Sequence, residues 1–337
     1  MNALTASLGL KFPLLQAGMG GVAGSRLAAA VANAGAGGIL GLYRMPPGPI
    51  RDVLRDTEAR TASPFGVNLI PELVDDAHFG QQVKTVLAAT DARVFFTCFG
   101  LPPVSAADAI RAAGRALIVM VGTTPDAVRA EAIGASAVVL QGTEAGGHLL
   151  GASPLETLAR EVSAAGLGIP FLCAGGIGHG SDFGAFDRLG ASGCLCGTLF
   201  VATEESDAHP RYKERLITAS ADDTVVTHLF EIGWPRRRHR VLRNGLTDRT
   251  DPPLPPRFIA RVTVAGVPHP VPRYGAMVPT VHTQGSIDDM ALYAGTSAAR
   301  IRDILPARER VERFMAEFSL AGAADVPRCI PTVELPS

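Results

Sequence analysis

Neither sign of charge is in excess: 31 Lys and Arg stand against 32 Asp and Glu, a formal net charge of −1. A chain so balanced sets up no global field for nucleic acid or anionic lipid, and neither partner is expected. Cysteine is scarce and odd in number, with five at positions 98, 173, 194, 196 and 329. Four of the five lie in apolar runs, so a disulfide scaffold is excluded and a reducing, cytoplasmic setting is expected. Cys194 and Cys196 would point the same way on a strand, but C-x-C alone is a weak metal signal; they read as small core side chains, and no metal is expected. No apolar run reaches the roughly 18 residues of a membrane span. Residues 1–11 lack a basic stretch followed by a long apolar core, so no secretory leader is expected. What the chain does have is apolar surface, 47% of its 337 residues, which excludes disorder as its main state.

Short apolar runs recur through the first 200 residues, at 13–19, 38–42, 65–70, 93–99, 116–121, 137–142, 170–175 and 193–198. They are nearly continuous in hydrophobicity, as parallel strands covered on both faces should be. Helical stretches separate them. Ser153-Pro154-Leu155-Glu156 reads as a capping box with proline in the first turn. Thr124-Pro125-Asp126 opens a helix that Gly134 closes, and Ser25 and Ser105 are further candidate N-caps. Eight strand-then-helix units predict an α/β fold, a (β/α)8 TIM barrel, in preference to a doubly wound open sheet. The barrel is expected over 1–220, with 207–220 a candidate eighth helix. Residues 221–337 are expected to form a helical and loop cap subdomain on the barrel mouth, with helices at 286–295 and 297–318.

Chemistry in such a barrel sits at the C-terminal ends of the strands. Ala174-Gly175-Gly176-Ile177-Gly178 follows the seventh run and Gly197-Thr198 the eighth. Glycine lets backbone N–H groups approach an anion, so these two ends predict a phosphate clamp. Gln141 to His148 leaves the sixth run and delivers an imidazole to the mouth, where a group titrating near neutrality suits general acid–base work. The basic run Arg236-Arg237-Arg238-His239-Arg240 reads as a solvated loop, or else as a collar for an acidic substrate or an NADPH phosphate. Trp234, the single tryptophan, reads as a packing anchor.

Gln16–Gly20 (QAGMG), Phe65–Asn68 (FGVN), Gln141–His148 (QGTEAGGH), Ala174–Ile177 (AGGI) and Gly197–Phe200 (GTLF) together resemble the nitronate monooxygenase family, formerly 2-nitropropane dioxygenase, and the related flavin-containing enoyl-acyl carrier protein reductases. The resemblance implies an FMN-binding barrel. It implies that Gly18, Met19 and Gly20 pass the flavin ring and that Asn68 and Gln141 bond ring or ribityl oxygens. Gly146 would lie against the cofactor, and Gly176 with Leu195, Cys196, Gly197 and Thr198 would hold its phosphate. His148 matches the catalytic base. Tyr293 and Leu149 are candidate substrate contacts.

The chain departs from the family pattern in three places. An acidic residue usually follows AGGI where this chain has Gly178-His179-Gly180, and His179 is expected to face solvent. The tail motif YAGQ reads Tyr293-Ala294-Gly295-Thr296, and Leu149-Leu150 makes the mouth more apolar. The expected activity is O2-dependent oxidation of a nitronate or nitroalkane-like small molecule. The alternatives are an NAD(P)H-dependent reductase of an enone, quinone or enoyl thioester, and a flavin-free barrel binding a phosphorylated ligand. Homo-oligomers are allowed.

Overall fold

The computed structural model describes residues 2–91, 93–250, 254–255, 257–264 and 266–324; Cys329 lies outside them. Eight short parallel strands form one sheet: β1 (Leu14–Gln16), β2 (Ile39–Tyr43), β3 (Phe65–Leu69), β4 (Val94–Phe99), β5 (Leu117–Val121), β6 (Ala137–Gln141), β8 (Phe171–Ala174) and β9 (Gly193–Cys196). A two-residue strand, β7 (Gly147–His148), lies outside that sheet in the loop after β6. Strand neighbours follow chain order from β2 round to β9, and β9 pairs with β1.

The ring closes between β1 and β2 through one bridge, Leu15 to Gly37. The Gln16 and Gly37 amides donate across it to Gly37 O and Leu14 O at 2.8 and 2.9 Å. The Gln16 side chain completes the seam. Its carboxamide accepts from Ile39 N–H at 3.0 Å and donates to Ile39 O at 3.1 Å. A fully buried glutamine thus supplies the pairing that a three-residue strand is too short to make.

Around the sheet run α1 (Ala3–Leu8), α2 (Ser25–Asn33), α3 (Pro47–Glu58), α4 (Asp76–Ala89), α5 (Val104–Ala112), α6 (Thr124–Ala132), α7 (Leu155–Ala165), α8 (Gly180–Asp187), α9 (Thr198–Val201), α10 (Pro210–Ile217) and α11 (Ala307–Ala324). Leu15, Ile39, Phe95, Ile118, Val139 and Leu172 fill the barrel interior, and Leu4, Leu8 and Leu10 join them from the α1 segment. A larger apolar layer lies between sheet and helices. α11 packs on both α8 and α2, which is the place of the eighth barrel helix. The expectation that 207–220 would fill that place is not met; α10 packs instead on the short turns at Ile287–Asp289 and Thr296–Arg300.

Beyond β9 the chain forms β10 (Thr224–Thr227) and β11 (His239–Leu242), which join β7 in a three-stranded antiparallel sheet. β12 (Phe258–Val264), β13 (Val267–Pro272) and β14 (Thr283–Gly285) form another, with β13 at one edge of it among the described residues. Pro268, Pro270 and Pro272 occupy alternate positions of that edge, the set whose amide positions face away from β12.

Three local expectations are corrected. The Ser153 capping box does not form: α7 starts at Leu155, whose amide is taken by the Glu144 carboxylate at 3.0 Å. Ser25 and Ser105 are not N-caps but lie inside their helices, behind Gly24 and Pro103. Residues 286–295 make only the turn Ile287–Asp289, because the following chain is drawn out against β11, with Leu242 N–H on Leu292 O at 2.8 Å.

Candidate active site

His148 follows β6, as its sequence position requires, but its orientation comes from elsewhere. It pairs directly with His239 of β11, and Gly147 pairs with Arg240. Gln141 adds a brace: its amide donates to His148 O at 2.9 Å and accepts from Leu150 N–H at 2.8 Å. These bonds tie Gln141 to the loop that carries His148.

The imidazole stacks on Trp234, with ring centroids 3.7 Å apart and planes at 15°. His239 and Tyr293 flank it at 5.1 and 5.3 Å. The indole is itself fixed by its Nε1–H, which donates to Glu72 at 2.6 Å, and Glu72 is gripped by Arg237 through two nitrogens. Phe99 meets the indole edge-on at 5.5 Å, and Tyr43 lies at 6.1 Å. Trp234 is therefore an anchor, as expected, and what it anchors is the histidine.

His148 is buried, and its Nε2 has no hydrogen-bond partner among the described residues. Burial, together with the neighbouring His239 and the Arg237 charge, pushes its pKa down to about 3. The expectation of an imidazole titrating near neutrality is thereby corrected: loss of solvation outweighs everything else. His239 is neutral by its bonding as well as by burial. Its Nδ1 donates to Arg237 O at 3.0 Å, and its Nε2 accepts from Phe230 N–H at 3.1 Å. Burial pushes the Tyr293 hydroxyl well up, and it donates to Ala276 O at 2.9 Å.

The basic run is not a solvated loop. Arg237 pairs with Glu72 after β3. Arg238 donates to Gly151 O at 3.2 Å, and Arg240 donates to Thr143 O at 2.8 and 3.0 Å. Arg44, after β2, reaches Gly233 O at 3.1 Å. These bonds strap residues 233–240 across the mouth onto the loops that follow β2, β3 and β6. Arg236 alone of the run is exposed, and its φ of 66° is left-handed.

The other predicted site residues also collect at this end of the barrel. Asn68 donates to Gly18 O at 3.3 Å and accepts from the Thr97 hydroxyl at 2.9 Å. A Cβ on Gly18 would lie 2.3 Å from that of Asn68, so only glycine fits. The space where a Gly197 Cβ would sit lies 3.6 Å from the Met19 sulfur, and that of Gly20 lies 3.6 Å from Tyr43. Gly146 packs on the backbone of Ala294 and Gly295, and Gly295 N–H donates to the Thr198 hydroxyl at 3.0 Å. Leu195 and Cys196 turn their side chains into apolar cores, which leaves only their backbone for a ligand. The Cys173 thiol is pushed up to about 12 by burial, and those of Cys98 and Cys194 are raised too, so these thiols are inert packing groups. Leu149 is buried, with its amide on Arg238 O at 2.8 Å. His179 does not simply face solvent: its Nδ1 caps α8 and its Nε2 lies 3.2 Å from Glu317.

A phosphate needs free N–H groups on a backbone that bends sharply. Gly175 and Gly176 have φ of 119° and 72°, and a Cβ at Gly176 would press on Glu144 and Thr296 at 3.2 Å. The amides of Gly176, Ile177 and Gly197 have no acceptor among the described residues. This part of the structure fits a phosphate group. Four further residues shape the site: Gln16 and His239 lie inside the QAGMG and RRRHR segments, whereas Glu72 and Glu317 carry no local signal in the sequence.

The nitronate monooxygenase family model matches residues 1–317. The chain belongs to the nitronate monooxygenase family. It is therefore an enzyme, an FMN-dependent oxidoreductase. A nitronate monooxygenase of Pseudomonas aeruginosa is 31% identical over 94% of this chain and 99% of its own length. The (3aS,4S,5R,7aS)-5-hydroxy-7a-methyl-1-oxo-octahydro-1H-indene-4-carboxyl-CoA dehydrogenase of Mycobacterium tuberculosis is 36% identical over 74% of this chain and 68% of that protein. Among solved structures, FabK from Thermotoga maritima superposes with a TM-score of 0.80 at 29% identity, covering 96% of this chain and 98% of that one. The nitroalkane oxidase of Streptomyces ansochromogenes superposes at 0.75 with 27% identity, covering 96% and 99%. Among the described residues no helix is long and apolar enough to cross a membrane.

Proposed function

We propose that this family member oxidises a preformed nitronate with O2, giving a carbonyl compound and nitrite, with His148 at the reacting end. The observation that carries the reading is the buried, unpartnered Nε2 of His148 under the Trp234 ring. In this reading the amides of Gly176, Ile177 and Gly197 hold the FMN phosphate, and Gly18–Gly20, Asn68 and Gly146 lie along the rest of the cofactor. When bound, FMN supplies the electron-accepting step. The chain's own residues do the remainder. Trp234, Tyr293 and Phe99 exclude water, and Gln141 and β11 fix the imidazole. Nε2 is left free to bond a nitro oxygen.

An imidazole with a pKa near 3 is a poor acceptor for a carbon-bound proton at neutral pH. That supports a substrate arriving as the anion rather than a neutral nitroalkane. An anion against Nε2 also favours the charged imidazole and raises its pKa on binding.

A second reading is supported by the aromatic mouth and by the relatives named for a carboxyl-CoA dehydrogenase and for FabK. In it, NAD(P)H is the reductant and a bulkier enone or enoyl thioester the acceptor. The test is a spectrum of the purified protein, chromatography of the acid-released flavin, and turnover. FMN release with O2 uptake on a nitronate, and little on the neutral nitroalkane, is the expected result. Rapid anaerobic bleaching by NADPH or NADH without nitronate turnover would replace it with the reductase. A colourless protein that reconstitution with FMN leaves colourless would defeat both.

A further inference from the structure

The turn from Gly175 to Gly180 presents consecutive backbone amides, and the protein sorts them into two sets. On the far side, Gly178 and His179 donate to one carboxylate oxygen of Asp182 at 3.1 and 2.9 Å. Gly180 donates to Glu317 of α11 at 2.9 Å. On the near side, Gly176 and Ile177 have no acceptor among the described residues. Two carboxylates close to a phosphate would ordinarily repel it, but each is paired with an arginine, the one on Glu317 being shared with Asp303 at 2.7 Å. Asp182 pairs with Arg300 at 3.1 Å; Glu317 pairs with Arg313 at 3.3 Å and lies 3.2 Å from His179.

The grip of α11 on this turn is direct. A Cβ on Gly180 would lie 2.1 Å from Phe314 O and 2.3 Å from Phe318 N, so the backbone of α8 rests on that of α11. Phe183 and Phe318 meet beside it with ring centroids 4.9 Å apart. Behind the turn lies a cavity of about 20 Å³ lined by Gly178, His179, Arg300, Arg310, Arg313 and Glu317, with Leu199 and Phe314 on its apolar side. It is large enough for one water. Carboxylate bonds act together with this packing to hold the turn's far side.

We propose that Glu317, on the last helix of the chain, is a positioning residue for the flavin phosphate. It draws the Gly180 amide backward so that the Gly176 and Ile177 amides stay forward, while Arg313, shared with Asp303, offsets part of its charge. The inference rests on the reading of this turn as the phosphate site and adds to it a control exerted from the C-terminal helix.

The phosphate gives the test its contrast, because riboflavin lacks it and FMN carries it. Equilibrium binding of each to the apoprotein is measured by quenching of flavin fluorescence for wild type, Glu317→Ala and Glu317→Gln. Arg308→Ala, an exposed change on the same helix, is the control. Glu317→Ala should weaken FMN on the order of tenfold, the scale of a hydrogen bond to a charged group. Riboflavin binding should hardly change, so the ratio of the two affinities falls. Glu317→Gln, which keeps an acceptor for Gly180 N–H, should restore most of the ratio. Should Glu317→Ala prove unstable, Arg313→Ala leaves the carboxylate uncompensated and should lower the same ratio. An unchanged ratio in folded variants overturns the proposal, as does an equal loss of both flavins. A wild-type protein that binds neither flavin overturns the reading of the site itself, which is a different result.

Discussion

Removing Trp234 should return His148 to ordinary titration. The indole is 9% exposed and stacks 3.7 Å from the imidazole, covering one face of it. Burial is the leading cause of the histidine's low pKa, ahead of His239 and the Arg237 charge. In Trp234→Ala water reaches that face, and the pKa should rise from about 3 toward 6.5. Each unit recovered corresponds to about 1.4 kcal/mol of differential solvation. Trp234→Phe keeps an aromatic cover and should keep the histidine neutral, although Glu72 then loses its indole partner. The assay is an NMR titration of ¹⁵N-histidine-labelled protein between about pH 4 and pH 8, a range spanning the ordinary histidine value. The substitution also costs about 3–5 kcal/mol of packing, so folding is checked by circular dichroism. A folded Trp234→Ala protein whose His148 stays neutral throughout that range would refute the argument that the indole keeps it dry. The same shift links stability to pH. Unfolded His148 takes a proton below about 6.5 whereas the folded group does not until about 3, so its contribution to stability is full above 6.5 and is lost through that window on acidification. Trp234→Ala should shrink the acid-dependent loss seen in denaturant titrations.

Two further outcomes follow from the glycine cradle and the barrel seam. Gly176→Val places a branched side chain at φ 72° and against Thr296, and should abolish flavin binding with the far-ultraviolet dichroism of the barrel intact; retained FMN affinity would contradict the cradle. Gln16→Leu removes two buried bonds to Ile39 and leaves its N–H and C=O unsatisfied, so urea denaturation should show a loss of roughly 2–4 kcal/mol, while a loss below about 1 kcal/mol would mean the seam closes without it.

The barrel was legible because its strands are buried on both faces and read as unbroken apolar runs, and all eight lie where those runs predicted. The ends of strands were legible through glycine, since few residues tolerate the φ of Gly175 and Gly176. What sequence spacing could not show was long-range pairing. Glu144, not Ser153, caps α7, and the eighth helix comes from 307–324. The arginine run reads as solvated in the sequence because its partners are mostly carbonyls of distant loops, which leave no mark in composition. Gln141 carries the family's motif, and its bonds to the loop that bears His148 are long-range pairings of the same kind.

The proline-lined edge of β13 governs how copies of this protein can meet. Phe258, Val264 and Val267 are exposed on the β12–β13 hairpin, an apolar surface that would ordinarily invite a neighbouring strand. Strand addition needs donors as well as acceptors along the edge. Pro268, Pro270 and Pro272 leave the outward side with carbonyls alone, so an incoming strand could form at most half of its ladder there. The hairpin can stay greasy without seeding fibres, and its apolar side chains remain free to touch other molecules through their faces.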